Sequence, residues 1–225
     1  MCGRFTSMLS PELIEVIFGV HAPPGIVPQY NIAPTQHVWT VRQASTEGRF
    51  LSHARWGLVP SWAKDISIGN RMINARCETV HEKPAFRLAI RARRCIIPAS
   101  GFFEWSATAA GKLPHYVTMR DDSPMAFAGI WDVWKNPSGE SIESCAILTT
   151  AANSLVEPLH DRMPVILHRT EFDLWLDRTE NDPRKLQRLY QPYPAGSMQM
   201  WEVSPMVNKP SHDTAENIVP VKVSL

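Results

Sequence analysis

Gly101-Phe102-Phe103-Glu104-Trp105 and Pro114–Arg120 are two stretches rich in β-forming residues, and Ala109-Ala110-Gly111 stands between them. A short turn sequence with glycine between two such stretches predicts an antiparallel β-hairpin. The same pattern recurs twice. Two further predicted hairpins pair Gln36–Arg42 with Arg49–Trp56 through Ser45–Gly48, and Met125–Trp134 with Ser141–Thr149 across Asn136-Pro137-Ser138-Gly139. We therefore expect an α+β fold in which strands dominate.

Helices are predicted to be few and short. Ser10-Pro11-Glu12 combines a preferred N-cap with proline at the first helical position, and Gly19 ends that helix. A second helix is expected to begin near Thr79–Lys83 and to carry five cations: Lys83, Arg87, Arg91, Arg93 and Arg94. Two small helices should follow, Glu171–Asp177 capped by Thr170 and one from Asp182-Pro183 to about Tyr190. Short strands are expected at Cys95–Pro98, Val165–Leu167, Met200–Val203, Val207-Asn208 and Ile218–Val223, and Tyr30–Pro34 should be irregular.

Length and composition describe an ordinary globular chain. It has 225 residues, of which 44% are hydrophobic and 20% charged, and we find no repeat or linker. We therefore expect one domain covering residues 1–225. No apolar run approaches the length needed to span a membrane. The four cysteines show no metal-ligand spacing, so we expect a reducing, cytoplasmic compartment, no zinc and no cofactor.

The charge is unevenly distributed along the chain. Residues 1–100 contain 12 Lys and Arg against 6 Asp and Glu, whereas residues 101–225 contain 11 against 16. A uniformly basic nucleic-acid-binding protein is excluded by this balance. One basic face that binds a polyanion is compatible with it, and so are two solvated regions of different charge.

Cys2 offers unusual chemistry if Met1 is removed, which a small second residue usually permits. It would then carry a free α-amine and a thiol on the same carbon, with pKa values of about 8 and about 8.5 before any perturbation. Such a pair can capture an aldehyde twice, first as an imine and then as a five-membered thiazolidine ring. The alternative is that cysteine follows Met1 by chance.

Two further residues are candidates for proton transfer. Glu104 lies between aromatic residues, where burial would raise its pKa and make it a usable general acid or base. His160 precedes Asp161 and Arg162 at the start of a predicted strand, which suits an acid–base role. A solvent-facing glutamate and a structural histidine are the plainer alternatives.

Three residues are candidates for binding. Trp56 and Trp62 flank a Gly- and Pro-containing loop, and Trp62 is the better candidate for an exposed stacking surface. Asn74 and Arg76 stand just before the predicted basic helix. Together with Glu78 they could cap that helix and form a salt bridge, or they could present an amide and a guanidinium to a ligand such as phosphate.

Six motifs taken together resemble one family. They are Met1-Cys2-Gly3-Arg4-Phe5, Tyr30-Asn31-Ile32-Ala33-Pro34, Trp56-Gly57-Leu58-Val59-Pro60-Ser61-Trp62, Asn74-Ala75-Arg76-Cys77-Glu78-Thr79, Gly101-Phe102-Phe103-Glu104-Trp105 and His160-Asp161-Arg162-Met163-Pro164. In this order they resemble the SRAP (SOS response-associated peptidase) family over nearly the whole chain. The sequence contains no GxSxG elbow, P-loop, GxGxxG or HExxH motif that would favour another chemistry.

The resemblance implies a barrel-like β core flanked by short helices and a DNA-binding channel. It also implies that the protein shields abasic sites in single-stranded DNA through a covalent thiazolidine at Cys2, with possible lyase and self-reversal activity. The implied catalytic residues are Cys2, Asn74, Glu104 and His160, and the implied DNA-binding residues are Arg4, Trp62, Arg76 and Arg162. The family often has a small residue where Cys77 stands. We expect a monomer that is associated with the nucleoid when it is bound to DNA.

Two other functions stay open at this point. One is a thiol peptidase that uses Cys2 with His160 as its base, although a papain-like enzyme would use an internal cysteine. The other is a protein that binds single-stranded or modified DNA without covalent chemistry. Loss of function on replacing Cys2 would count against the second.

Overall fold

Strands form most of the architecture. The computed structural model describes residues 2–44, 48–109 and 111–221. Within these residues, the strands are β1 Phe5–Ser7, β2 Gln29–Ile32, β3 His37–Gln43, β4 Arg49–Trp56, β5 Asn74–Arg76, β6 Arg94–Ala99, β7 Gly101–Thr108, β8 Gly111–Met119, β9 Met125–Lys135, β10 Ser141–Ala151, β11 Arg162–Pro164 and β12 Met198–Glu202. The four α-helices are α1 Pro11–Phe18, α2 Ala89–Ala92, α3 Phe172–Leu176 and α4 Pro183–Gln187.

Five strands close into a barrel. β4 pairs with β3, β3 with β6, β6 with β9 and β9 with β10, all antiparallel, and β10 returns to β4 in a parallel pairing at Ser144–Arg55 and Cys145–Trp56. β5 and β11 also pair with β10. The predicted barrel-like β core is therefore confirmed.

A separate five-stranded sheet has the order β12-β8-β7-β1-β2. Its centre is the predicted hairpin, in which Gly101 pairs with Thr118 and Thr108 with Gly111. Gly101 could not be replaced easily, since a Cβ there would lie 2.5 Å from the Tyr116 ring and hydroxyl. β1 joins β7 to β2, and this pairing brings the segment that carries Cys2 beside the strand that carries Glu104.

Two large apolar clusters hold these parts together. In one, the helices pack on one face of the barrel strands, for example Phe18 and Trp175 against Ile96 and Leu148. The other cluster joins the opposite strand face to the five-stranded sheet, and it contains Cys2, Phe5, Trp56, Phe102 and Phe127. Cys2 therefore lies in a core, not on the surface.

The first helix and the main hairpins agree with the predictions. Ser10 accepts a hydrogen bond from Leu13 N at the start of α1, and Gly19 ends it with φ of 65°. Of the predicted turns, residues 45–47 and 110 lie outside the described residues, as do residues 222 and 223 of the last predicted strand. Both small helices are present, although His168, not Thr170, caps the turn Arg169–Glu171 before α3.

The predicted basic helix is wrong. Residues 77–88 form successive turns, and α2 is only four residues long. Pro84 explains the break, since proline lacks an N–H and disfavours helical geometry in the residue before it. Arg94 belongs to β6, where its buried guanidinium donates to the carbonyls of Trp175 and Ile90 at 2.6 Å. The five cations therefore do not share one helical face.

Other errors concern short strands. Tyr30 to Ile32 belong to β2, so part of the segment expected to be irregular is paired. Val207-Asn208 is not a strand, because Ser204 Oγ caps a 3₁₀ turn at Pro205–Asn208. The strand expected at Val165–Leu167 lies earlier, at Arg162–Pro164, and Ile166 makes an isolated bridge with Phe127. Residues 215–218 also form a 3₁₀ turn.

Candidate functional site

Cys2 and Glu104 lie together in a buried centre. Cys2 is fully buried, and its thiol points to the carbonyl of Arg4 at 3.8 Å. Burial raises the pKa of this thiol well above its usual value, and the negative charge of Glu104 raises it further. The thiol is therefore protonated at neutral pH and needs a base in order to react.

The strand period places Glu104 towards Cys2. Phe102 and Glu104 project from the same side of β7, because alternate residues of a strand share a face. Phe102 belongs to the apolar cluster that contains Cys2. Burial raises the pKa of the Glu104 carboxyl, and the positive charge of His160 partly opposes this effect. The expected desolvation of Glu104 is therefore found, and the carboxyl can carry a proton closer to neutral pH.

Asn74 connects this centre to an open cleft. Its Nδ2 donates to the Cys2 carbonyl at 2.8 Å. Its Oδ1 is buried and accepts no hydrogen bond from any residue that the structure describes. The side chain therefore holds the Cys2 backbone on one side and keeps an acceptor available on the other.

The cleft has a volume of about 480 Å³ and contains three predicted site residues. Its lining is aromatic, aliphatic and basic: Trp62, Met72, Asn74, Arg76, Thr79, Lys83, Pro84, Ala85 and Phe86. Asn74 and Arg76 share a face of β5, while Ala75 between them is buried in the other core. Larger cavities exist elsewhere, one of them beside Asp173, Asp177 and Arg178, but none of the predicted site residues lines them.

Trp62 is presented by a fixed loop. Trp56 is fully buried, whereas Trp62 is 54% exposed, as the sequence predicts. Ser61 N donates to Asp132 Oδ2 at 3.1 Å, and Trp134 Nε1 donates to the carbonyl of Ala63 at 2.7 Å. Hydrogen bonds on both sides of Trp62 thus hold its backbone while its ring remains open to a stacking partner.

His160 has two neighbours on the same nitrogen. Arg162 N donates to His160 Nδ1 at 3.0 Å, and Asp161 Oδ1 lies 2.8 Å from that atom. The first contact needs a lone pair on Nδ1, whereas the second suits an Nδ1 that carries a proton. His160 is half-buried, and its Nδ1 is engaged by the two residues that follow it in the chain.

Arg162 and Arg4 are engaged by the protein itself. Arg162 forms two hydrogen bonds to Glu78, at 2.6 and 2.9 Å, and one to the carbonyl of Thr149. Arg4 Nη1 donates to Asn31 Oδ1 at 2.7 Å and to the carbonyl of Val207 at 2.6 Å. Their phosphate contacts remain predictions. Arg76 is exposed, and its side chain has no hydrogen-bonded or ionic partner among the described residues.

Sequence reasoning did not identify every residue that shapes the site. It gave no role to Asn31, although that residue stands in a quoted motif, nor to Met72 and Phe86 in the cleft, and it considered Glu78 only for a salt bridge. Cys77 is buried, and its burial raises the pKa of its thiol. All four cysteines are free thiols. The described residues contain no cluster of three or more His, Cys, Asp or Glu placed to hold a metal ion. None of their helices is long and apolar enough to cross a membrane.

Comparison with known proteins decides the family. The sequence model of the family described as SOS response associated peptidase (SRAP) matches residues 1–210. This chain belongs to the SRAP family. A Bacillus subtilis relative named abasic site processing protein YoqW is 43% identical over 224 residues, which cover 97% of this chain and 99% of that protein. The Gallus gallus abasic site processing protein HMCES is 30% identical over 88% of this chain and 68% of its own length.

Solved structures have the same SRAP fold. A crystal structure of a protein from Bacteroides thetaiotaomicron matches with a TM-score of 0.89 and 25% identity, covering 98% of this chain and all of that one. A Bordetella bronchiseptica protein matches with a TM-score of 0.79 and 27% identity over 90% of this chain and all of its own. The expected family and fold are therefore confirmed.

Proposed function

We propose that this SRAP protein processes abasic sites in single-stranded DNA by forming a covalent thiazolidine at Cys2. Relatives named abasic site processing proteins support the general activity. The observation that carries the finer mechanism is the hydrogen bond from Asn74 to the Cys2 carbonyl. Through this bond Cys2, which is buried beside the Glu104 carboxyl, is connected to the cleft. The cleft contains an exposed cation, Arg76, and an exposed aromatic ring, Trp62.

The reaction needs Cys2 as the first residue. After Met1 is removed, the α-amine attacks the C1′ aldehyde of the ring-opened sugar, and loss of one water gives an imine. The Cys2 sulfur then attacks the imine carbon, and the thiol proton ends on the nitrogen. The product is a thiazolidine, and one water is released overall. No oxidant, metal or cofactor takes part in this sequence.

Glu104 and His160 supply the proton transfers. The raised pKa of the Glu104 carboxyl suits it to take a proton from the amine or the thiol and to return one to the departing water. His160 would assist the opening of the closed sugar, because a ring oxygen must be protonated as the aldehyde forms. Asn74 Oδ1, which is buried without a described donor, would accept a hydrogen bond from the captured sugar.

The cleft would bind the DNA strand without reading its sequence. Arg76 and Lys83 can approach phosphates, and Trp62 can stack on a base. These are contacts that every nucleotide offers. We therefore expect affinity for single strands of any sequence, with a strong dependence on salt.

A thiol peptidase is less consistent with the geometry. Such an enzyme needs a thiolate that is stabilised by a cationic histidine or a helix N-terminus. Here burial and the charge of Glu104 disfavour the thiolate of Cys2. Among the described residues, the polar contact of Cys2 Sγ is a backbone carbonyl, not His160.

The intact mass of the product tests the proposal. The protein is incubated with single-stranded DNA that contains one abasic site, and the complex is measured under denaturing conditions. The expected mass is that of the chain without Met1, plus the DNA, minus one water. Unmodified protein on abasic DNA would contradict covalent capture. A covalent product on a chain that retains Met1 would exclude the α-amine as the nucleophile.

A further inference from the structure

Asn31 is a buried hydrogen-bonding centre to which the proposed function gives no role. It is 1% exposed, and it stands at the third position of β2. Its Nδ2 donates to the carbonyls of Val207, Lys209 and His212 at 3.2, 2.9 and 2.7 Å. Its Oδ1 accepts from Arg4 Nη1 at 2.7 Å. A single side chain thus connects the start of the chain to a segment near its other end.

Arg4 extends this connection to the thiol. The carbonyl of Arg4 accepts a backbone hydrogen bond from Phe103 at 2.9 Å and is the group to which the Cys2 thiol points. The Arg4 guanidinium is held by Asn31 Oδ1 and the carbonyl of Val207. Burial lowers the pKa of Arg4, as is expected of a cation whose partners are neutral. The rotamer of Arg4 and the position of its carbonyl are therefore both fixed.

The same segment also reaches the strand that carries Glu104. Asn208 Oδ1 accepts from Trp105 Nε1 at 2.8 Å, and Trp105 directly follows Glu104. The 3₁₀ turn Pro205–Asn208 thus contacts the neighbours of both the nucleophile and the carboxyl. Asn31 anchors this turn through the Val207 carbonyl.

We propose that Asn31 is a positioning residue that holds Arg4, and through it the Cys2 side chain, in the orientation required for ring closure. This inference rests on the proposed thiazolidine function. It gives Arg4 a structural role, through Nη1, in addition to the phosphate contact that the family resemblance implies. The α-amine can form an imine from several orientations of Cys2, but the sulfur must reach the imine carbon from one side, so the second step is the sensitive one.

Borohydride separates the two steps. It reduces the C=N bond of an imine to a stable amine, and it does not reduce a thiazolidine, which lacks that bond. Crosslink that survives denaturation without borohydride therefore reports ring closure. The additional crosslink found when borohydride is present reports imine that has not closed.

The test compares Asn31→Ala and Arg4→Gln with the unmodified protein on single-stranded abasic DNA. Ring closure should slow by about 10- to 100-fold, since displacement of a reacting group by about 1 Å can cost about 100-fold. Crosslink trapped with borohydride should change by less than about twofold, because the amine itself is retained. Arg4→Lys keeps a donor to Asn31 and should recover part of the loss.

Arg94→Gln is the matched control. Arg94 is also a buried arginine held by carbonyls, but it packs beside α3 and away from Cys2. It should lower thermal stability without changing the ratio of closed to open crosslink. If Asn31→Ala does not fold, Arg4→Gln still removes the connection from its other end, and circular dichroism identifies which variants are folded.

Several results would overturn the inference. One is equal loss of imine and thiazolidine in folded Asn31→Ala, and another is no loss of either. A third is an Arg4→Gln protein with normal ring closure and a salt dependence reduced by one phosphate, which would assign Arg4 to the DNA. Absence of any crosslink in the unmodified protein, with or without borohydride, would instead remove the proposed function itself.

Discussion

Replacing Arg76 with alanine should change how single-strand affinity depends on salt. Arg76 lies on the same face of β5 as Asn74, lines the cleft and is exposed. Its side chain has no hydrogen-bonded or ionic partner among the described residues, so its charge is available to a phosphate. Loss of one phosphate contact should make the slope of log K against log salt shallower by about 0.7.

This slope gives a measurable difference between two salt concentrations. The affinity lost through Arg76→Ala should be about 2.6-fold greater at about 50 mM than at about 200 mM salt, because a slope change of 0.7 acts over a fourfold range. Removing Lys83 as well should double the change in slope, since both cations line the cleft. Fluorescence anisotropy with Cys2→Ala protein measures the equilibrium without covalent capture.

Arg178→Ala provides the control for this experiment. Arg178 is an exposed cation in a different cavity, beside Asp173 and Asp177. Its removal changes the net charge by the same amount as Arg76→Ala. Equal slopes for Arg76→Ala and the parent protein, or equal changes for Arg76→Ala and Arg178→Ala, would refute a specific phosphate contact in the cleft.

Three other predictions concern Glu104, Glu78 and Trp62. Glu104→Gln should slow crosslinking yet raise the melting temperature at neutral pH. Because the pKa of Glu104 is raised in the folded protein, its contribution to stability is present below the unfolded pKa and is lost as pH rises through the folded pKa. The neutral glutamine does not suffer this loss. This would be contradicted by calorimetry in which the melting temperature of Glu104→Gln exceeds that of the parent by no more at neutral pH than at acidic pH. Glu78→Ala should destabilise the fold by about 1–3 kcal/mol, since it leaves the buried Arg162 guanidinium without its carboxylate; denaturant unfolding that shows no change would argue against this pair. Trp62→Ala should weaken single-strand binding by about 1–3 kcal/mol, whereas Phe50→Ala, another exposed aromatic, should not.

The pH dependence of the Glu78–Arg162 pair has the opposite sign. Hydrogen bonding from Arg162 lowers the pKa of Glu78 below its usual value. The pair therefore contributes stability above the unfolded pKa of a glutamate, and this contribution is lost as pH falls through the folded pKa. The difference in stability between Glu78→Ala and the parent should shrink in acid. A constant difference across acidic pH would contradict the assignment.

Local sequence signals located the hairpins well, because each depends on neighbouring strands and a turn. Gly101 to Trp105 pairs with the predicted partner, and Ser10 and Gly19 bound α1 as their types require. The closing contact of the barrel is different. It is a parallel pairing of Cys145 with Trp56, residues that are far apart in sequence, and no local pattern encodes it.

The candidate site shows the same difference between local features, which the sequence predicts, and tertiary contacts, which it does not. The burial of Glu104 and the exposure of Trp62 were indicated by the sequence, because both follow from the side chains and their immediate neighbours. The engagement of Arg4 by Asn31 and of Arg162 by Glu78 depends on tertiary contacts and could not be predicted. The predicted basic helix is absent for a local reason, since Pro84 interrupts the segment that carries its cations.

The most direct test of the central claim is a denaturing gel of the protein incubated with single-stranded DNA that carries one abasic site. Three proteins are compared: the parent chain, Cys2→Ala, and a chain with one residue inserted between Met1 and Cys2. The account predicts a shifted band that survives denaturation for the parent alone, and none on intact DNA. A shifted band of equal strength with Cys2→Ala, or with the inserted residue shown by mass spectrometry to be retained, would contradict capture by the amine and thiol of Cys2.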